Sequence, residues 1–262
     1  MNPAAETWLA DTIRLARRLP AAVAPGILAD RYLERLGWDQ NADPDVPWIV
    51  FDGPSAVGKD TQIALAATVL RGRGLTVSVV GGTGVRTQLG PITDRAVETN
   101  AALPGRSRWT ADYRLKAAAW EALRRHMPAP GSADIVLCNR GPLSQLVYSA
   151  VSGAPELLDT EPTRLEQSAR PRDTHLLLSC PDDVVAARAH RRASVGDKPL
   201  RTLDTPEFIA RANRAYHDLA TYVPWVRVVE VSGGREENFA TIMAVVDSVL
   251  PHDADRGGED AA

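Results

Sequence analysis

Hydrophobic side chains in this 262-residue chain gather into five short runs separated by longer amphipathic stretches. The runs are WIVFD (48–52), LTVSVV (75–80), DIVLC (134–138), THLLLS (174–179) and VRVVEV (226–231). They are short, rich in β-branched residues, without clean polar alternation, and followed by turn residues. A strand wetted on one face alternates and a strand covered on both faces does not, so this pattern predicts a sheet buried from both sides. The segments between them carry helical spacing. Ile63, Leu65, Ala66 and Leu70 recur through Thr61 to Arg71, and Asp112 to His126 is rich in Ala and Arg. Asp182 to Arg192 opens with two acids suited to the positive end of a helix. Phe208, Ala212, Ala215, Tyr216 and Leu219 mark a further helix, as do Phe239, Ile242, Met243, Val246 and Leu250. Strands alternating with helices predict an α/β fold with a five-stranded parallel sheet wrapped on both sides, a three-layer sandwich.

Two regions stand outside the alternation. Residues 1–46 are expected to form two amphipathic helices, with Trp8, Leu9, Ile13 and Leu19 in the first and Leu28, Tyr32, Leu33 and Leu36 in the second. Packing on the core and docking of a partner are both open to this N-terminal helical extension. The tail 252–262 is polar and Gly-rich and is expected to be disordered. The domain carrying the sheet then spans 47–251.

Composition adds mainly exclusions. With 44% hydrophobic and 24% charged residues the chain has an ordinary globular balance. A net charge of −3 gives no broad basic face for nucleic acid or an anionic membrane, so any anion site must be a local cluster of Arg and Lys. No apolar run reaches membrane-spanning length, and a cytoplasmic location is expected. Cys138 and Cys180 fall in strand-like runs and are expected to be buried thiols.

Chemistry enters directly after the first strand. Gly53, four residues, Gly58 and Lys59 reproduce the Walker A spacing, in GPSAVGKDT (53–61). Such a loop must turn successive backbone N–H groups onto a phosphate, which glycine permits, and the helix that begins there adds its positive end. Gly53, Ser55, Ala56, Val57, Gly58, Lys59, Asp60 and Thr61 are therefore expected to cradle a nucleotide's phosphates, with Lys59 as the mobile cation. The motif calls for Ser or Thr after the lysine as a Mg²⁺ ligand; this chain has Asp60 there, itself a hard oxygen ligand. Thr61 lies about 100° further round the helix and is the weaker choice.

Beyond this loop the chain resembles the thymidylate kinase branch of the P-loop nucleoside monophosphate kinases, over roughly residues 48–250. FDGPSAVGKDTQ (51–62), VLCNRGPLSQLVYS (136–149), THLLLSCPDDVVAARAHRR (174–192) and PEFIARANRAYHDLA (206–220) follow that family's order of phosphate loop, third strand, fourth strand with the helix into a lid, and helix after the lid. The resemblance implies an ATP- and Mg²⁺-dependent kinase acting on a nucleoside monophosphate, and a homodimer, the state such kinases commonly adopt. A kinase for a non-nucleotide acceptor and a nucleotide-binding module without turnover remain the alternatives.

Several positions depart from the family pattern. Asp-Arg after the third strand is Asn139-Arg140, the acid of the phosphate loop is Ser55, and the Ala-Asp-Arg of the preceding helix becomes Ala111-Asp112-Tyr113-Arg114. The turn after the second strand survives as Gly81-Gly82-Thr83. A carboxylate at Asp60 and an amide at Asn139 suggest a charge that has crossed the metal site, the two together holding Mg²⁺; the alternative is that Asn139 only caps the segment that follows. Arg140 is expected at a phosphate. In the lid, about residues 188–203, Arg188 and Arg192 share a helix face and could close over ATP, and Arg191, Lys198 and Arg201 add charge. Arg114 and Arg86 are candidates for the acceptor's phosphate. Trp109 and Tyr148 could stack on its ring or pack in the core. Asp52 could be a base, a support for the metal's ligands, or a turn former.

Overall fold

The computed structural model describes residues 30–31, 33–34, 42–80, 100–129, 131–168, 172–196 and 199–250. The expectations for the rest of 1–46, for Gly81-Gly82-Thr83 and Arg86, for Lys198 and for the tail lie outside the described residues. Five strands form one sheet: β1 (Trp48–Asp52), β2 (Val77–Val80), β3 (Ile135–Asn139), β4 (Thr174–Ser179) and β5 (Val226–Glu230). Their order is β2-β3-β1-β4-β5 and every pairing is parallel. All five runs of the hydrophobic pattern are strands, and the central β1 and β4 are buried at every position.

Eight α-helices accompany the strands among the described residues: α1 (Lys59–Gly72), α2 (Gly105–His126), α3 (Pro142–Gly153), α4 (Leu157–Thr160), α5 (Pro162–Ser168), α6 (Asp182–Ser194), α7 (Pro206–Tyr222) and α8 (Arg235–Val249). Successive strand residues point to opposite faces, and two cores result. Ile49, Phe51, Leu137, Leu176 and Leu178 pack with Ile63, Ala66 and Leu70 of α1, Val185 of α6 and Ile242 and Val246 of α8. On the other face Trp48, Val50, Val136 and Cys138 meet Trp120 and Leu123 of α2, while Leu177 meets Leu143, Leu146 and Val147 of α3 and Ala212, Tyr216 and Leu219 of α7. The result is the expected three-layer α/β sandwich. None of the helices among the described residues is long and apolar enough to cross a membrane.

Two elements differ from the pattern. Helix α2 starts at Gly105, two turns before Asp112; its first three residues, Gly105 to Ser107, are exposed and give no apolar signal. Helix α3 was not expected from the spacing, although Leu143, Leu146, Val147, Ala150 and Val151 all lie on its buried side. Pro142 occupies its first turn, where the missing N–H costs nothing.

In this strand order β1 is the point from which the chain turns outward in both directions, β3 to one side and β4 to the other. Ligands of open parallel sheets bind beyond the strands' carboxyl ends at such a reversal. The loops after β1 and β3 meet there.

Candidate active site

The loop from Gly53 to Gly58 joins the end of β1 to the start of α1. Gly53 has φ +128° and Gly58 φ +113°, and Ala56 sits at φ +62°. Among the described residues only Ala56 and Arg140 are non-glycine residues with positive φ, one in each of the two loops that meet at the end of β1. A left-handed alanine costs about 1–3 kcal/mol and such outliers concentrate at functional sites. Gly53 also permits close approach, since a Cβ there would lie 2.6 Å from the Leu178 carbonyl oxygen.

The Gly53 carbonyl is a junction. It accepts from Lys59 Nζ at 2.9 Å, Arg140 Nη1 at 3.0 Å and Tyr216 Oη at 3.3 Å. Lys59 also donates to the Pro54 carbonyl at 2.6 Å. The ammonium is buried, and that desolvation, reinforced by the Arg140 charge, holds its pKa well below the ordinary lysine value against the opposing pull of Asp60 and Asp52.

Asp52 ends β1 with no exposed surface. Its Oδ1 accepts from the N–H of Gly141 (3.1 Å), the N–H of Ser144 (3.2 Å) and the Ser144 hydroxyl (2.5 Å), and its Oδ2 from His175 Nδ1 at 3.0 Å. Burial alone would raise its pKa; the bond and charge of His175, the Ser144 hydroxyl and the Gly141 N–H outweigh it and hold the carboxyl below its usual range. Four polar contacts converge on this carboxylate, which ties the end of β1 to the first turn of α3 beside Arg140. Ser144 passes the connection on, accepting from Tyr216 Oη at 2.8 Å. The Arg140 guanidinium lies 4.7 Å from the centroid of Tyr148, which stacks on Phe208 at 5.8 Å.

On the other side of the loop, Asp60 is exposed in the first turn of α1 and accepts a short hydrogen bond from Asn139 Nδ2. Asn139 follows Ile135 and Leu137 on the α1 face of β3, and its Oδ1 is buried with no hydrogen-bond partner among the described residues. Among those residues no group of three or more His, Cys, Asp or Glu side chains forms a metal cage. Magnesium seldom needs one, because it keeps several waters and takes one or two carboxylates together with substrate phosphate oxygens. One exposed carboxylate beside an unpartnered amide oxygen, next to a phosphate loop, fits that requirement. Thr61 is exposed one position on.

The lid arginines divide. Arg188 donates to the carbonyls of Val57 (3.1 Å) and Val231 (3.0 Å), so it ties the loop after β1 to the end of β5. Arg192 donates to Asp204 Oδ2 at 3.1 Å. Arg201 donates to the same carboxylate at 3.3 Å and to the Ser55 hydroxyl at 2.9 Å, which ties the segment after α6 to the loop after β1. Asp204 is buried; desolvation would raise its pKa, but Ser55 and Arg201 hold it below the ordinary value.

The remaining expected positions are less central. Trp109 packs with the core beneath α3, against Gly153, and carries Arg108 at 4.9 Å from its ring. Arg114 is exposed on α2. Sequence reasoning missed four members of the network: Ser144, His175, Tyr216 and Asp204. Tyr216 was visible only as an apolar position of α7, and an acid in the stretch LDTPE gives no sign that two arginines converge on it.

A glycine loop between a buried strand and a helix, closed over by a lysine and flanked by arginines that follow β3 and α6, is an arrangement suited to a phosphotransferase of the P-loop class. Comparison with known proteins carries this further. No family model matches the chain. Over 211 residues it is 30% identical to a thymidylate kinase of Symbiobacterium thermophilum, covering 78% of this chain and 94% of the relative. Over 210 residues it is 31% identical to a thymidylate kinase of Pelobacter propionicus, covering 76% and 93%. The fold is similar to that of thymidylate kinase from Candida albicans, with a TM-score of 0.55, 15% identity, and coverage of 78% of this chain and 92% of that one. The chain belongs to the thymidylate kinase family and is a nucleotide kinase.

Proposed function

We propose that this kinase transfers the γ-phosphoryl group of ATP, in a magnesium-dependent reaction, to a nucleoside monophosphate, with thymidylate the first acceptor to test. The observation that carries the proposal is the convergence on Gly53: one carbonyl holds Lys59, Arg140 and Tyr216 around the phosphate loop.

Phosphoryl transfer needs alignment and charge neutralisation more than covalent help from the protein. The N–H groups at the start of α1, with the helix's positive end, bind the donor's phosphates. Lys59 follows the phosphates, its present partners being two backbone carbonyls that hold it in the loop. Arg140, aimed by its left-handed backbone and by the Asp52–Ser144 anchor, offers a guanidinium to phosphate oxygens. Asp204 presents Arg192 and Arg201 together at the loop, where closing the lid would add positive charge and exclude water. Asp60 and Asn139 would hold Mg²⁺, which when bound neutralises charge on the phosphates. Tyr148 stands beside Arg140 where an acceptor ring could meet it.

The test is ADP release from ATP and Mg²⁺ with a panel of nucleoside monophosphates. A monophosphate-dependent rate, abolished by EDTA, is expected. Turnover with none of them would refute a nucleotide acceptor and leave a non-nucleotide one.

A further inference from the structure

A P-loop ordinarily presents magnesium with a hydroxyl from the residue after the lysine and a carboxylate from a neighbouring strand. Here each position holds something else, and the two substitutes touch. Asp60 follows Lys59, Asn139 ends β3, and Asn139 Nδ2 donates to Asp60 Oδ1. Because β3 pairs directly with β1, with Phe51 opposite Asn139, the loop after β1 and the end of β3 are adjacent by construction. The orientation of the amide follows from chemistry: an ionised carboxylate only accepts, so the nitrogen must face Asp60. That leaves Oδ1 on the other side, buried and unpartnered among the described residues.

We infer that Asp60 and Asn139 work as one unit in which the magnesium-binding carboxylate stands in the first turn of α1 and not at the end of β3, with the charge presented to the ion unchanged. The inference rests on the kinase reading above. Asp60 gives the charged oxygen, and it gains from its place at the positive end of α1. Asn139 steers that carboxylate through Nδ2 and offers Oδ1 to a water of the ion. A second carboxylate at position 139 would face Asp60 directly. A transposed pair, Asn at 60 and Asp at 139, would keep the same charge and the same hydrogen bond with the direction reversed. The structure therefore makes each residue's value depend on the other's.

The test avoids turnover. The affinity for ADP is measured by calorimetry with Mg²⁺ and with EDTA, on the full chain and on Asp60→Asn, Asn139→Asp and the double variant. The ratio of the two affinities is the magnesium coupling, expected at about 5- to 150-fold for linked ligands. Both single variants are expected to lose most of it, and the double variant to regain a clear part, which is non-additivity between touching residues. Thermal unfolding of each variant, with Asp60→Ser/Asn139→Asp as a second double variant, separates misfolding from loss of coupling. Intact coupling in the unaltered protein with additive losses in both double variants would overturn the exchange and leave the kinase reading standing. An unaltered protein whose nucleotide affinity ignores Mg²⁺ would overturn both.

Discussion

Two glycines of the phosphate loop offer a controlled experiment, because alanine at each meets the same backbone penalty in different surroundings. Gly53 has φ +128° and Gly58 φ +113°, so alanine is strained at both. The dihedral cost is about 1–3 kcal/mol at either site. At Gly58 a Cβ would meet nothing within 4 Å; at Gly53 it would lie 2.6 Å from the Leu178 carbonyl oxygen, a backbone atom of the central strand β4 that cannot swing aside. Relieving that overlap requires the loop or β4 to move by several tenths of an ångström, and forced shifts in packed regions cost about 1–3 kcal/mol more. For a domain of this size about 1 kcal/mol corresponds to roughly 2–4 °C in Tm. Gly58→Ala should therefore lower Tm by a few degrees and Gly53→Ala by about twice as much. The functional gap should be wider, since Gly53 carries the carbonyl that Lys59, Arg140 and Tyr216 share, and displacing reacting groups by about 1 Å costs on the order of 100-fold in rate. Thermal unfolding and ADP release measured on both variants provide the check. Equal losses in the two, or a milder effect at Gly53, would refute the reasoning.

Three further outcomes follow from the same network. Lys59→Met should cut ADP release by at least about 10²–10³-fold, while leaving thermal stability equal or higher, because a buried charge is removed. The folded pKa of Lys59 lies below its unfolded value, so the cost of that charge is fully present below the folded pKa and fades as pH rises from there toward about 10.5; the unaltered protein should gain on the variant in Tm over that range. Asp52→Asn should destabilise by about 3–5 kcal/mol at pH 7 in urea unfolding. Because the folded pKa of Asp52 is depressed, that advantage exists above the ordinary carboxylate value and is lost as pH falls below about 4, so the two unfolding curves should converge in acid; a constant gap would contradict the assignment. Asp204→Ala frees Arg192 and Arg201 and should lower kcat by about 10²-fold with a smaller change in Tm, and unchanged kcat would show that neither arginine acts at the loop.

The sheet was legible because covered strands carry their signature in consecutive residues: WIVFD and THLLLS match β1 and β4 residue for residue. The glycine loop between β1 and α1 was equally plain, being written in one contiguous stretch. Helix α3 was masked by the Gly141-Pro142 pair at its start, and the first turn of α2 by its exposure. The site's support was harder to see, because it is made of contacts between residues distant in sequence. Asp52 meets His175 across 123 positions, and Arg201 meets Ser55 across 146. Nothing local to Asp204 or His175 marks them. Arg188 is a further case: it lies four residues from Arg192 on the same helix, and its contact with the Val57 carbonyl spans 131 positions.

The bend from Gly53 to Lys59 is expected to grip the phosphates of a nucleotide. A crystal structure with ADP and Mg²⁺ tests it most directly. The diphosphate should lie on the N–H groups that open α1, with Lys59 Nζ turned from the Gly53 and Pro54 carbonyls onto phosphate oxygen. A diphosphate bound elsewhere, with Lys59 still on those two carbonyls, would contradict it.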